Sequence, residues 1–161
     1  MRRVLSLAIA AVFTLLISAQ AQAQTFTFTA DLSGGNEVPG VVTGSGGTAT
    51  VTLNVATNVV TWVIDVYNLP TGVTASHIHA GSPGVAGPVI VNFTVVANTS
   101  NDFRISGSAN LSEIVPRPAQ GINSAEDARQ ALLNGDTYVN VHSSANPGGE
   151  IRGQLVLVTQ F

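Results

Sequence analysis

Residues 48–66 read TATVTLNVATNVVTWVIDV, and their side chains alternate between polar and apolar with a period of two. From Thr48 to Val55 every even position is polar and every odd position is apolar, and from Val60 to Val66 the apolar core candidates, Trp62 among them, fall on even positions. Such alternation is typical of antiparallel strands with one buried face. Because residues 56–58 form a short polar break between the two runs, the stretch predicts a β-hairpin.

The same alternation recurs along most of the chain. Further strands are predicted at Thr25–Leu32, Ala75–Ala80, Val89–Val95, Phe103–Asn110, Tyr138–Ser143 and Glu150–Val158. One segment differs, because Ser124 can cap a helix whose alanines and leucines follow at helical spacing until Asn134-Gly135. We therefore expect an all-β fold, an antiparallel Greek-key sandwich or barrel of about eight strands, with one short helix near residues 124–134.

The first 23 residues have the organisation of a secretory signal peptide. Arg2 and Arg3 precede an apolar run, and Ala21-Gln22-Ala23 is a cleavage site of the small-x-small type. The apolar run is short for a membrane span. We expect residues 1–23 to be removed on export, with no membrane span remaining. Residues 24–161 would then form one domain in the periplasm or outside the cell.

Charge and cysteine content exclude several classes of function. Residues 24–161 contain four arginines, no lysine and nine acidic residues, a net charge of −5. This charge disfavours binding to nucleic acid or to an anionic membrane surface. The chain has no cysteine, so thiol chemistry and thiolate metal sites are excluded. The partner expected for an exported domain of this kind is an extracellular or periplasmic ligand of unknown identity, and the oligomeric state stays open.

All three histidines lie in two short predicted strands, at His77, His79 and His142. Ile78 is the natural core residue between the first two, so both neighbouring imidazoles should point to the opposite, outer face. By the same alternation Val139 and Val141 point inward. The last two strands, which a short connection joins, should pair as a hairpin, with Tyr138 and Gln154 also pointing outward. If the His77–His79 strand neighbours this hairpin, the outer face brings together His77, His79, Asn140, His142, Glu150 and Arg152.

Three converging imidazoles can bind a divalent metal ion, and nitrogen ligands suit Zn(II) or Cu(II). The predicted ligands are His77, His79 and His142, with Glu150, Asn140 or water completing the coordination. The competing interpretation is that the imidazoles bind backbone carbonyls or one another. They would then fix the glycine-rich segment after His79, which we expect to fold tightly against them.

Glu150 and Arg152 lie on the same face of one predicted strand. This spacing favours a local ion pair or cross-strand hydrogen bonds. Beside a bound metal, Arg152 could instead guide an anion and Glu150 could orient an imidazole. The sequence leaves these alternatives open.

Several motifs resemble those of the CHRD (chordin-type) domain family. They are Leu32 with Glu37-Val38-Pro39, the segment 76–81 (SHIHAG) with Gly87-Pro88-Val89, the segment 133–142 (LNGDTYVNVH) and the segment 146–154 (NPGGEIRGQ). The resemblance extends from about residue 25 to the end of the chain. It implies an exported all-β module of a kind that occurs as single domains in bacterial secreted proteins. The growth-factor binding of chordin is not carried over to this chain, because chordin's other modules are missing.

A looser likeness links His77-Ile78-His79 to the His-x-His copper motif of copper/zinc superoxide dismutases. Three histidines without a disulfide do not supply that family's two metal sites, so the likeness implies shared architecture at most. The sequence favours a non-catalytic binding or surface-interaction module with a three-histidine metal site. The alternative is a mononuclear copper redox enzyme, or a superoxide dismutase-like one, that uses the same residues.

Overall fold

The structure, a computed structural model, describes residues 24–95 and 100–160. The predicted signal peptide, residues 1–23, lies outside the described residues. The strands are β1 (Thr25–Ser33), β2 (Gly46–Asn54), β3 (Val59–Tyr67), β4 (Val73–Ala80), β5 (Val89–Asn92), β6 (Phe103–Asn110), β7 (Thr137–Ser143), β8 (Ile151–Gln154) and β9 (Val156–Gln160). The helix α1 spans Ala125–Leu133, and three short 3₁₀ turns occupy Gly34–Asn36, Leu111–Glu113 and Pro118–Gln120.

The strands form one antiparallel, nearly closed, barrel-like sheet in the order β5-β4-β7-β8-β1-β2-β3-β6, with β9 also beside β1. The β2–β3 pair is the hairpin predicted from residues 48–66, and Val51 lies opposite Trp62 in its register. The pairs β3–β6, β4–β7 and β8–β1 join strands that are distant in sequence. These crossovers bring the two histidine-bearing strands side by side. The predicted fold class is confirmed.

The core lies inside the sheet and contains one side chain from every second position of the strands. Val60, Trp62, Ile64 and Val66 all have an exposed fraction of 4 % or less, and the Trp62 ring stacks on Phe93 at 4.2 Å between centroids. Trp62 is therefore a core residue, as its position in the alternating pattern predicted. Burial of such large apolar side chains provides most of the driving force for folding.

The helix α1 has the ends that the sequence predicted. The Ser124 hydroxyl accepts a hydrogen bond from the backbone N–H of Asp127 at 3.2 Å, and Ala128 and Leu132 are buried. Gly135, at φ +77°, lies just past the C-terminal end, where a left-handed backbone suits glycine. The helix packs on the 3₁₀ turn at Leu111–Glu113.

The last predicted strand, Glu150–Val158, is in fact two strands. The break falls at Leu155, whose backbone N–H donates to the Thr137 carbonyl at 3.0 Å and whose side chain is fully buried. Before the break β8 pairs with β7, and after it β9 pairs with β1. The described residues therefore contain nine strands rather than about eight, because one continuous run of sequence changes its pairing partner.

Replacing Ile78 with Asp should destabilise the fold strongly. The Ile78 side chain is fully buried between two strands, so the substitution places an unpaired carboxylate in the core and should cost about 3 kcal/mol or more. The control is Thr50→Asp, because Thr50 is exposed on β2. Urea denaturation followed by circular dichroism measures both. Similar stability of the two variants would contradict the assignment of Ile78 to the core.

Candidate functional site

The pairing of β4 with β7 brings the three histidines together. In this register His77 lies opposite Asn140, and His142 lies opposite Ala75, one position along the same face. The ring centroid of His77 is 4.9 Å from that of His142 and 5.4 Å from that of His79. The three side chains that the sequence grouped therefore form one contiguous cluster, hereafter the histidine cluster.

The alternation of faces is confirmed, but the expectation of an exterior polar surface is wrong. Ile78, Val139 and Val141 point into the core and are fully buried. The opposite face is covered as well, since His79 is only 8 % exposed and His142 only 7 %. Every residue of β7 is buried. Of the three histidines only His77 is half-buried, so the cluster reaches solvent along the His77 side.

Besides the segment 144–149, whose Pro147 carbonyl contacts His142, two irregular segments cover this face. The first is the glycine-rich segment 81–88, hereafter the covering loop. His79 Nδ1 lies 2.8 Å from the Gly87 carbonyl oxygen, and the Tyr138 hydroxyl donates to the same oxygen at 3.1 Å. The second is the segment 34–45, which contributes Thr43 and Ser45 hydroxyls to Glu150. The predicted tight packing of the glycine-rich loop against the histidines is confirmed.

Backbone carbonyls fix the tautomers of two imidazoles. His79 Nδ1 contacts the Gly87 oxygen, and His142 Nδ1 contacts the Pro147 oxygen at 3.0 Å. A carbonyl oxygen only accepts hydrogen bonds, so both Nδ1 atoms carry the proton and both Nε2 atoms present a lone pair. His79 Nε2 is buried and has no hydrogen-bond partner among the described residues. The same contacts also anchor the loops, as the competing interpretation of the sequence predicted.

His77 completes the cluster through its Nδ1 atom, which lies 3.1 Å from His142 Nε2. Because His142 Nε2 carries a lone pair, His77 Nδ1 donates in the metal-free protein. One ring nitrogen from each of the three residues lies within 4.8 Å of the other two. A tetrahedral ion with bonds of about 2.0–2.1 Å holds its nitrogen ligands about 3.3 Å apart. Small side-chain rotations would surround one ion, after the proton on His77 Nδ1 moves to Nε2 of the same ring.

All three imidazoles are biased towards the neutral form that binds metals. Burial, together with smaller contributions from the neighbouring His142 and His79, lowers the pKa of His77 to about 4. Burial also lowers the pKa values of His79 and His142, although the carbonyls of Gly87 and Pro147 act to raise them. Neutral imidazoles at pH 7 need lose no proton to coordinate a cation.

Arg152 and Tyr138 form a stack beside the cluster. The Tyr138 ring lies parallel to His79 at 4.8 Å between centroids, and the Arg152 guanidinium carbon lies 3.4 Å from the centroid of the Tyr138 ring. Arg152 is 2 % exposed and donates to the carbonyl oxygens of Val85, at 2.9 Å, and Ser82. Tyr138, which the sequence placed on an outer face, is thus buried and links His79 to a fixed positive charge.

Glu150 lies apart from the histidine cluster, and the predicted ion pair with Arg152 does not form. Its carboxylate accepts hydrogen bonds from the hydroxyls of Thr43, Ser45 and Ser143. Burial acts to raise the pKa of Glu150, but these hydrogen bonds outweigh it and the pKa is lowered. An ionised carboxylate with this many donors has its hydrogen-bonding capacity satisfied. Glu150 therefore anchors the surrounding segments and is not directed at the histidine cluster.

Asn140 adjoins a carboxylate that the sequence did not single out as a functional residue. Its amide nitrogen donates to Glu37 Oε2 at 3.4 Å, whereas Asn140 Oδ1 and Glu37 Oε1 are buried without a partner among the described residues. Burial raises the pKa of Glu37 to about 7, although Arg152 and the Asn140 hydrogen bond act to lower it. The Glu37-Val38-Pro39 motif was the one signal that could have identified this residue.

A model of the CHRD domain matches residues 28–155, which include the histidine cluster, the covering loop, Glu37 and Arg152. The chain belongs to the CHRD domain family. Searches of curated proteins and of solved structures returned no match. The resemblance inferred from the sequence motifs is confirmed over most of the chain.

Membership of the CHRD family indicates a binding or interaction domain, and CHRD domains are typically extracellular. Within residues 24–95 and 100–160 the one α-helix has nine residues and does not meet the length or hydropathy of a membrane span. These two findings set the context in which the histidine cluster of this CHRD domain is interpreted.

Replacing Gly87 with Ala should destabilise the covering loop. An added Cβ at Gly87 would collide with the carbonyl oxygen of Ala80, and neither backbone segment can move without breaking the His79 and Tyr138 contacts. We expect a loss of about 1–3 kcal/mol in the free energy of unfolding. Gly44→Ala is the matched control, because an added Cβ there meets nothing within 4 Å. Equal thermal stability of the two variants would contradict this description of the loop.

In the metal-free protein, the low pKa of His77 should act to reduce stability as the pH falls below about 6.5. The pKa of His77 is about 4 in the folded state, so between these values the unfolded chain binds a proton that the folded chain does not. The contribution of neutral His77 to stability is therefore complete above the pKa of the unfolded chain, and it is lost as the pH falls towards the folded pKa of about 4. The raised pKa of Glu37 acts in the opposite direction, so the measurement is a comparison with His77→Gln.

Chemical denaturation at pH 7 and pH 5, in the presence of a chelator, tests this prediction. Wild-type protein should lose more stability between the two pH values than His77→Gln does. Equal losses would mean that His77 titrates normally in the folded state. NMR titration of the His77 ring gives the pKa directly.

Proposed function

We propose that this protein is an exported CHRD-type binding or surface-interaction module, non-catalytic, in which His77, His79 and His142 hold one divalent metal ion. Residues 1–23 serve as the signal peptide in this proposal, and residues 24–161 act in the periplasm or outside the cell. The partner is an extracellular or periplasmic ligand. The observation that carries the metal site is the convergence of three ring nitrogens within 4.8 Å.

The chemistry of the donors supports this assignment. Two Nδ1–H groups are held by backbone carbonyls, an arrangement that orients the rings and raises their basicity as ligands. Burial keeps the imidazoles neutral, and His79 Nε2 has no partner to give up among the described residues. His79 Nε2 therefore presents a free lone pair, and His142 Nε2 and His77 Nδ1 become available when the proton on His77 Nδ1 moves to Nε2 of the same ring.

The donor set favours Zn(II) or Cu(II). Both ions accept imidazole nitrogen readily, whereas Mg(II) and Ca(II) prefer oxygen donors. Three protein nitrogens leave at least one coordination position for water or another small ligand. Asn140 lies opposite His77 in the β4–β7 register, and its buried Oδ1 has no partner among the described residues, so it is a candidate for an additional oxygen ligand. Arg152 supports the site through Tyr138.

The open coordination position supports a second candidate function, a mononuclear copper redox enzyme with superoxide dismutase-like activity. Catalytic metal sites commonly use three protein ligands and leave one position for substrate. A bound copper ion would supply the one-electron chemistry, and the chain's own residues would hold the ion and keep water from most of the site. The non-catalytic module and the copper enzyme use the same three histidine ligands, and only the enzyme would turn over superoxide.

Metal binding should be stoichiometric and should depend on the histidines. Titration calorimetry with Zn(II) and with Cu(II) should give one ion per chain. At a free metal concentration of about 100 times Kd, the folded state should gain about 2.7 kcal/mol. His79→Ala and His142→Ala should each abolish this gain. Thr50→Ala, an exposed substitution on β2, should leave it unchanged.

Two results would overturn the metal site. One is calorimetric silence with both ions, and the other is binding that His79→Ala does not alter. If metal-free His79→Ala is as unstable as Ile78→Asp, the histidine is a structural residue. Catalytic superoxide turnover by the copper-loaded protein would favour the enzyme over the non-catalytic module.

A further inference from the structure

The covering loop also forms one wall of a cavity of about 480 Å³ that contains none of the histidines. The other walls are the segment 120–122, the helix α1 and the residues that follow it. This volume falls within the range of small-molecule sites, about 300–1,000 Å³. The cavity is separate from the proposed metal site, so an inference about its ligand does not rest on the proposed function.

The polar groups of the cavity retain unused hydrogen-bonding capacity. The side-chain amides of Gln120 and Asn134 make no hydrogen bond to other described residues. Asp136 accepts from the Ser82 hydroxyl through Oδ1, and Asp127 accepts from Asn123 and Ser124 through Oδ2. Each carboxylate therefore keeps one oxygen that has no hydrogen-bond partner within residues 24–95 and 100–160. The cavity offers amide donors together with amide and carboxylate acceptors.

Charge and side-chain size restrict the ligand. The lining contains two carboxylates and neither arginine, lysine nor histidine, so an anionic ligand would be repelled. Val85 and Ile122 give the lining an apolar portion, and most of the other nonpolar residues are glycine or alanine. A compact ligand with several hydroxyls and an apolar C–H face matches this combination, because each hydroxyl can donate to a carboxylate and accept from an amide.

We propose that the cavity between the covering loop and α1 binds a neutral, hydroxyl-rich small molecule of the saccharide class. Gln120 and Asn134 supply donors, and Asp127 and Asp136 supply acceptors. The small residues of the wall allow the sugar ring to approach the backbone, and Val85 and Ile122 contact its C–H face.

NMR titration of the full mature chain, residues 24–161, tests the proposal. The ligands are D-glucose, D-galactose, N-acetyl-D-glucosamine, maltose and cellobiose, with spermidine and glucose 6-phosphate as the cationic and anionic comparisons. We expect at least one of the neutral sugars to bind with a Kd of about 1 mM or below. Its shift changes should lie at residues 80–87, 120–122 and 130–136.

Two variants test the location. Gln120→Ala removes one amide from an exposed position and should weaken sugar binding at least about tenfold. Ala86→Trp fills the cavity from the exposed side of the covering loop and should abolish binding. Gln24→Ala is the matched control, because Gln24 carries the same amide and does not line the cavity. Retention of the wild-type amide spectrum by the variants shows that they fold.

Each remaining outcome overturns the proposal. The first is that none of the five sugars binds, and the second is that sugar binding is unchanged in both cavity variants. The third is that spermidine or glucose 6-phosphate binds at the cavity more tightly than every neutral sugar. Adding Zn(II) should not be required for sugar binding, so failure of the metal site leaves this test intact.

Discussion

The register between β4 and β7 is the constraint on which the site depends. Ile78, Val139 and Val141 must fill the core, and each strand then directs the intervening side chains to its other face. With His77 opposite Asn140, the rings of His77, His79 and His142 share that face. A slip of one residue between the strands would move imidazoles into the core and expose the aliphatic residues. The hydrophobic core therefore determines where the histidines lie.

Burial of the polar face decides the chemical state of these histidines. A solvent-exposed cluster would be partly protonated near its ordinary pKa, whereas burial lowers all three pKa values. The same burial would be costly for Arg152 if its charge were unsatisfied. Two carbonyls of the covering loop and the face of Tyr138 offset that cost. The covering loop thus fixes the His79 tautomer through the Gly87 carbonyl and also satisfies the Arg152 cation.

The parts of this structure that follow from local sequence were predictable. The hairpin at 48–66, the cap at Ser124 and the shared face of the histidines depend on alternation or on contacts within a few residues. The packing of the glycine-rich covering loop on the histidines was predicted, but the covering of that face by the segment 34–45 was not, because that segment carries no periodic pattern. For the same reason, two side chains that alternation places together diverge. Glu150 accepts hydrogen bonds from hydroxyls of the segment 34–45, and Arg152 donates to carbonyls of the covering loop.

The covering loop couples features that the sequence presents separately. Its Gly87 carbonyl accepts from His79 and Tyr138, its Val85 carbonyl accepts from Arg152, and its Gly81 carbonyl accepts from Gln154. The same loop lines the cavity beside α1. Displacement of the loop would remove the carbonyl acceptor that fixes the His79 tautomer. It would therefore weaken the binding of any cation held by His79 Nε2. Because such coupling is reciprocal, a cation that holds His79 in place also stabilises the loop conformation that forms the cavity wall.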